Sequence, residues 1–343
     1  MAFEKVKEII KESPEFAQLT DLAAEKLGGK VVFATDDFFA EKENLLKQGR
    51  GVFITDKYTD RGKWMDGWES RRKRIAGHDW AVVKLAAPGK IMGIDIDTNF
   101  FLGNHPPHAS VQAVNISDPS TIIDWDDVAI QWKEILPKSH LDAGSQNFFE
   151  INDNEIFTHV RLHIYPDGGV ARLRVFGEVF KNWKNTKADE VIDLASALNA
   201  AKAIACNDMF FSAMSNLTMP NRGANMGDGW ETKRNRTLNN RDWVIIKLAT
   251  AGTIENIIVD TCHFKGNYPD RCSIEGCNST NDNDVINNNV EWQTILPEQK
   301  LSAHHEHEYK KEIVSSSAFS HVRLNIFPDG GVSRLRLFGK KKV

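Results

Sequence analysis

No stretch of the 343-residue chain approaches the ~18 consecutive apolar residues of a membrane-spanning helix. Neither sign of charge dominates. Lys and Arg number 43 against 47 Asp and Glu, a net charge of −4, and general nucleic-acid binders usually carry a basic excess. Cysteine is scarce: Cys206, Cys262, Cys272 and Cys277 all fall in the second half and none has CxxC spacing. Reduced thiols of a cytoplasmic protein are expected, not a disulfide framework. The opening MAFEKVKEIIKESPEF holds no apolar run of signal-peptide length, which points to the same compartment. The usual catalytic signatures are missing as well: there is no GxSxG, HExxH, GxxxxGK[ST] or GxGxxG. Chemistry has to be sought in the polar residues that the chain repeats.

Repetition is what the sequence does have. Asp66-Gly-Trp-Glu69 returns as Asp228-Gly-Trp-Glu231, and His159-Val-Arg-Leu162 returns as His321-Val-Arg-Leu324. Pro166-Asp-Gly-Gly-Val170 returns as Pro328-Asp-Gly-Gly-Val332, and Arg172-Leu-Arg174 as Arg334-Leu-Arg336. The offset is 160 to 163 through the body of the repeat, but 172 where Asp36-x-Phe-Phe39 meets Asp208-x-Phe-Phe211. The first copy therefore carries about ten extra residues, placed near Lys47–Tyr58. A period of this size is a whole domain. We expect two tandem domains, 1–180 and 181–343, with the seam in the polar stretch Lys181–Lys187.

Each copy reads as strands. Trp80–Leu85 and Trp243–Leu248 are β-rich and closed by Pro/Gly turns, with Trp80 and Trp243 assigned to the core. In Ile91–Thr98, apolar Met92, Ile94 and Ile96 alternate with Gly93, Asp95 and Asp97, the pattern of one buried face. His159–Ile164 and Arg172–Phe176, joined by Tyr165-Pro-Asp-Gly-Gly169, read as a hairpin with one apolar and one charged face. Helix is minor, over Phe3–Glu12 and Asp193–Ala201. The expected class is all-β, a tandem duplication of an antiparallel jelly-roll β-sandwich. The ordered strand series, ending in Arg-Leu-x-x-Phe-Gly, resembles the galactose-binding, discoidin-like jelly roll.

Three repeated sets could carry chemistry. Asp66, Glu69, Asp228 and Glu231 place two carboxylates beside an indole in each copy, followed by Arg72 or Arg234. That set can do acid–base work and hold an anion, or it can be an Asp-Gly turn entering a strand. His159 with Arg161, and His321 with Arg323, share a strand face. They offer a base beside a carboxylate clamp, or a polar face paired across the sheet. Asn104 and Asn267, each in Gly-Asn-x-Pro, could bind an amide-like ligand or simply make the turn. The run His304-His-Glu-His-Glu308 looks metal-binding, but the matching Gly144–Phe148 has no ligands, so a solvated loop is expected. Cys272 and Cys277 lack His partners at zinc spacing.

The duplicated Asp-Gly-Trp-Glu-[Ser/Thr]-x-Arg, the Asp-Asp-Phe-Phe-Ala40 and Asn-Leu-Leu46 segments, and the two His-Val-Arg-Leu…Pro-Asp-Gly-Gly…Arg-Leu-Arg-x-Phe-Gly series resemble the allantoicase family, from about Leu22 to Gly339. The resemblance implies hydrolysis of allantoate to ureidoglycolate and urea in purine degradation. The carboxylates, with His159 and His321 as alternative bases, would then do acid–base work. Arg72, Arg234, Arg161 or Arg323 would hold the substrate carboxylate, and Asn104 and Asn267 the ureido groups. The expected partner is this small molecule, with no nucleic acid and no membrane; a homo-oligomer is left open. A divalent metal is left open as a cofactor, and the sequence indicates no ligand set for one. The rival reading is a non-enzymatic small-ligand or carbohydrate-binding protein on the same fold.

Overall fold

The computed structural model describes residues 12–116, 118 and 124–342. The chain divides after Phe180 into two compact units. In the first, the antiparallel strand order is Thr20–Asp21, Arg172–Val179, Asp79–Asp97, Ile156–Tyr165, His108–Val114, Lys133–His140; Lys30–Ala34 and Phe148–Glu150 also pair with Asp79–Asp97. The second repeats it: Ile192–Asp193, Arg334–Lys341, Asp242–Asp260, Ala318–Phe327, Arg271–Cys277, Gln293–Lys300, with Lys202–Cys206 and Glu306–Tyr309 on Asp242–Asp260. The all-β sandwich duplication is what the structure shows.

One 19-residue strand organises each unit. The Pro/Gly turn expected at Ala87–Gly89 does not reverse the chain. The first half of Asp79–Asp97 pairs with Lys30–Ala34 and Ile156–Tyr165, and its second half with Arg172–Val179 and Phe148–Glu150. The register slips between Phe157 and His159, so the strand bends from one layer into the other. Ala81, Val83 and Leu85 from one half and Ile91, Ile94 and Ile96 from the other then share a core with Val160, Leu162, Leu173 and Val175. Trp68 and Trp230 are wholly buried in the cores of the two units.

Four sequence expectations need correction. His159–Ile164 and Arg172–Phe176 do not form a hairpin with each other; the long strand lies between them. Trp80 is buried as expected, packed on Phe33 and under the Arg161 guanidinium, but Trp243 is only half-buried. Both Trp residues stand on the opposite parity to the core residues Ala81 and Val244. The Ile91–Thr98 segment is buried on both faces: a bulge at Met92 turns Ile91 and Ile94 inward, while Asp95 and Asp97 are buried among polar partners. Burial pushes the Asp95 carboxyl up to about 7. Finally, Asp193–Ala201 holds only a 3-10 turn, Ala197–Asn199. Among the described residues the α-helix is Asp282–Ile286. The helix expected over Phe3–Glu12 falls, but for Glu12, outside the described residues.

The insertion of the first copy also sits later than expected. Arg50 and Arg222 occupy equivalent places, ion-paired to Asp97 and Asp260, so the extra residues lie between Gly51 and Asp66. They include the small hairpin Tyr58–Thr59 and Gly62–Lys63.

Candidate functional site

Alternate residues of Asp66-Gly-Trp-Glu-Ser70 point to different partners, and each partner explains its residue. Asp66 is buried and its Oδ2 accepts from Arg172 Nη2 at 2.7 Å and from Val52 N at 3.0 Å. Gly67 and Gly169 bracket the Phe101 ring: a Cβ at Gly169 would lie 1.9 Å from it. Trp68 fills the core and donates Nε1–H to Asp36 O at 2.8 Å. Ser70 Oγ accepts from Gly168 N at 3.3 Å. Glu69 is the residue left facing outward. Its backbone pairs with Gly169 on one side and Ala40 on the other.

Phe101, wedged between those glycines, brings its loop against the Glu69 strand. Gly169 N donates to Asn104 O at 2.8 Å, and Asn104 Nδ2 donates to Glu69 Oε1 at 2.7 Å. Burial raises the Glu69 carboxyl above its ordinary range, and the Asn104 bond offsets this only in part. Glu69 Oε2 has no hydrogen-bond partner among the described residues. Ala40 also lines a cavity of about 340 Å³ with Asn44, Lys47, Arg61 and Trp64. The second repeat rebuilds the pair: Asn267 Nδ2 donates to Glu231 Oε1, and Phe264 sits against Gly229 and Gly331. Thus the fold joins Glu69 to Asn104, and Glu231 to Asn267, two sets the sequence treated separately.

The other candidates are engaged or distant, except Arg72 and Arg234, which follow Glu69 and Glu231 by three residues. Asp228 Oδ2 accepts from Ala224 N at 2.7 Å, and Arg334 holds the Asp228 carbonyl. Arg72 and Arg234 are exposed, and their guanidinium groups make no hydrogen bond or ion pair among the described residues. Arg161 donates twice to Gln112 Oε1, at 3.0 and 2.6 Å, and is held between the Trp80 and Trp132 rings. Arg323 makes the matching cross-strand pair with Glu275 Oε2, at 3.0 and 2.8 Å, over Trp292.

His159 is buried under Trp125 with Nε2 unpartnered, and burial first, then Lys84, lowers it to about 4. His321 keeps Asp282 at 3.2 Å; burial lowers it and Asp282 opposes that. Six residues, ~20 Å of strand, separate His159 from Tyr165, where the chain turns towards Gly169 and Glu69. The histidines are therefore at the far end of their strand from the Glu–Asn pair.

Sequence reading missed two features. The buried Asp66–Arg172 bond links motifs 106 residues apart. Cys262, His263 and His304 offer donor atoms within 4.8 Å of one another. The His304–Glu308 run is not all loop, since Glu306–Tyr309 forms an edge strand. Repeat-to-repeat identity was the one signal available for the first feature, because Asp66 and Arg172 both have counterparts.

These observations define a class: a duplicated β-sandwich that presents a carboxyl–carboxamide pair at the same place in each repeat. The allantoicase repeat family model matches residues 20–180 and again 192–342. A probable allantoicase of Pseudomonas fluorescens is 49% identical over 95% of this chain and 97% of its own length. One from Photobacterium profundum is 49% identical over 95% and 98%. The crystal structure of allantoicase from Saccharomyces cerevisiae superposes with a TM-score of 0.79 at 37% identity, covering 95% of this chain and 96% of that one. The chain belongs to the allantoicase family.

Proposed function

We propose that this chain hydrolyses allantoate to ureidoglycolate and urea, a step of purine degradation, and that Glu69 is the proton donor. Family membership through both repeats supports the reaction. The site assignment rests on the half-buried Glu69 carboxyl, raised by burial and hydrogen-bonded to Asn104 at 2.7 Å.

Allantoate carries two ureido groups and a carboxylate on one carbon. Urea leaves poorly unless its nitrogen is protonated. In the proposed reaction the retained ureido nitrogen pushes its lone pair toward carbon as the other C–N bond breaks. Glu69 gives its proton to the departing nitrogen. Water adds to the iminium-like carbon and returns a proton to Glu69, so one carboxyl serves as acid and then base. Asn104 orients Glu69 and offers its carboxamide oxygen to ureido N–H groups. Arg72, with its free guanidinium, clamps the substrate carboxylate. Glu231, Asn267 and Arg234 are the matching set of the second repeat.

Asp66, Asp228, Arg161, Arg323, His159 and His321 build the frame in this reading. The proposed compartment is the cytoplasm, supported by four free cysteines. Among the described residues no helix is long and apolar enough to cross a membrane. The test is urea release from allantoate, measured colorimetrically. The chain should release urea, and Glu69→Gln should slow release by roughly 10²–10⁴-fold, the usual span for losing a general acid. A parent chain that releases no urea, yet binds glycans, would return the protein to the binding-module reading.

A further inference from the structure

The two repeats share a scaffold that they furnish differently. In the first, Thr98 ties its loop to a neighbouring one: Thr98 N donates to Ser145 O at 2.9 Å and Ser145 N to Thr98 Oγ1 at 3.1 Å. The residues facing that junction are Asn99, Phe100 and Gly144. Asn99 Nδ2 donates to Gly51 O at 3.0 Å, and Phe100 stacks on Phe53. In the second repeat, Thr261 makes the same ties. Thr261 N donates to His305 O at 2.9 Å and His305 N to Thr261 Oγ1 at 3.0 Å. The three facing residues are now Cys262, His263 and His304. The backbone is the same, while every side chain has become one that ligates metals.

The replacement at His304 goes against backbone preference. Gly144 has φ of 60°, where glycine is at ease, and His304 takes φ of 51° at the same place. Left-handed backbone is uncommon for a side-chain-bearing residue, though His is among those that tolerate it. His263 Nε2 lies 2.8 Å from the Gly223 carbonyl. The carbonyl can only accept, so Nε2 carries the proton and Nδ1 keeps its lone pair. A ligating imidazole is usually oriented by such an N–H to a backbone carbonyl. His304 Nδ1 accepts the His263 amide at 2.8 Å, and this is the lone pair that a metal would take. Cys262 is buried, His263 half-buried and His304 exposed, so the cluster is anchored inside and open at the surface.

We propose that Cys262, His263 and His304 form a transition-metal site of Zn²⁺ type in the second repeat, with the fourth position left to water. One thiolate and two imidazoles suit a borderline-soft divalent ion rather than Mg²⁺ or Ca²⁺. Binding releases the Cys262 thiol proton to solvent and replaces the His263 N–H···His304 bond. The donors lie within 4.8 Å of one another, wider than the ~3.5 Å that bonds of 2.0–2.3 Å impose. His304, the exposed member, supplies the closing movement. The site stands five residues before Asn267 on one loop, so the ion would pin the segment that carries the Glu231 partner. The role is positioning, and it is independent of whether Glu69 is the acid.

The experiment is metal binding by the full chain, with Zn²⁺ followed by calorimetry and Co²⁺ by its thiolate charge-transfer absorption. One equivalent should bind, with the cobalt–thiolate band present. His304→Gly installs the residue that the first repeat uses at this φ and should fold normally. It should weaken binding at least about 100-fold, since even outer partners of a ligand are worth 10–100-fold. Cys262→Ser should abolish the cobalt–thiolate band. His305→Ala, an exposed neighbour outside the cluster, should bind as the parent does. No stoichiometric binding by the parent would overturn the proposal. So would unchanged affinity in folded His304→Gly, or equal loss in His305→Ala.

Discussion

Asn104 Nδ2 and Glu69 Oε1 are 2.7 Å apart, and Phe101, wedged between Gly67 and Gly169, holds the Asn104 loop against the Glu69 strand. The bond works against burial. Desolvation favours the neutral Glu69 carboxyl, while the Asn104 donor favours its charged form. A proton donor needs the neutral form, so kcat/KM should fall as pH rises through the raised Glu69 value. Removing the donor in Asn104→Ala should move that descending limb to higher pH and also raise KM. Full pH profiles of urea release check this. A limb that stays in place, or moves to lower pH, would separate Asn104 from the titration of Glu69.

Asp66 and Arg172 form a pair with side chains 7% and 3% exposed. Removing one partner of a buried pair typically costs about 3–5 kcal/mol, because the other charge is left without compensation. Asp66→Asn should therefore lower stability by that order in urea unfolding, while the folded fraction keeps near-parent kcat. A stable variant with kcat reduced a hundredfold would instead place Asp66 in the chemistry.

Much of this was legible because the repeats give the same backbone task to the same residue. Asp36 and Asp208 each accept Trp Nε1–H at the main-chain oxygen and, at Oδ1, the main-chain N–H of Arg71 or Lys233, two residues past the Trp-Glu strand. Such matched tasks leave matched letters, so the duplication, the strands and the Glu–Asn candidates could all be read. Pairing order could not. His159–Ile164 and Arg172–Phe176 are close in sequence and look like a hairpin, yet both prefer the long strand, whose apolar surface lies between them. Parity failed at Met92, because a bulge adds a residue that no local pattern announces. The Cys262–His263–His304 cluster was hidden by the separation of 41 positions between His263 and His304.

Core position, too, was misread at one tryptophan and can be tested by truncation. Trp68→Ala should cost about 3–5 kcal/mol, the usual loss for a large buried aromatic, since its ring is wholly buried. Trp243→Ala, at a half-buried position, should cost roughly half of that. Equilibrium urea unfolding of the two variants measures the difference. A larger loss at Trp243 would show that the side cluster, not the main core, limits stability.

His159 makes stability depend on pH. Its folded value is lowered to about 4 by burial and Lys84, against about 6.5 in the unfolded chain. Between those values the unfolded state binds more protons, so stability rises with pH across the window and is lost as pH falls through it. The size is on the order of 3 kcal/mol at full development. His163, lowered to about 3 by burial, Arg161 and His78, adds to the slope across the same window and extends it down to about pH 3. His159→Gln should flatten the stability–pH curve between about pH 4 and 6.5, with urea release per folded molecule unchanged at pH 7. An unaltered slope would show that His159 is not what the unfolded chain protonates.

The two Glu–Asn pairs should not be equal catalysts. Beside Ala40, the bridge partner of Glu69, inserted residues of the first repeat (Thr59, Asp60, Arg61, Trp64) help to line a polar cavity that also holds Asp37, Glu41, Asn44 and Lys47. Around Glu231 the partner Asn267 lies instead against Met226 Sδ at 3.8 Å. A polar recess can bond the ureido N–H and C=O groups of a substrate, whereas a thioether is only a weak acceptor. Glu69→Gln should therefore abolish most urea release, and Glu231→Gln should reduce it far less. Steady-state kinetics of the two folded single variants and the double variant decide the matter. Two equal and independent sites would leave about half the kcat and an unchanged KM in each single variant, with only the double variant inactive. That outcome would refute the assignment to the first repeat. Full activity in both single variants would remove these carboxyls from the mechanism and leave them as the hydrogen-bonded closure of the loops that Phe101 and Phe264 wedge in place.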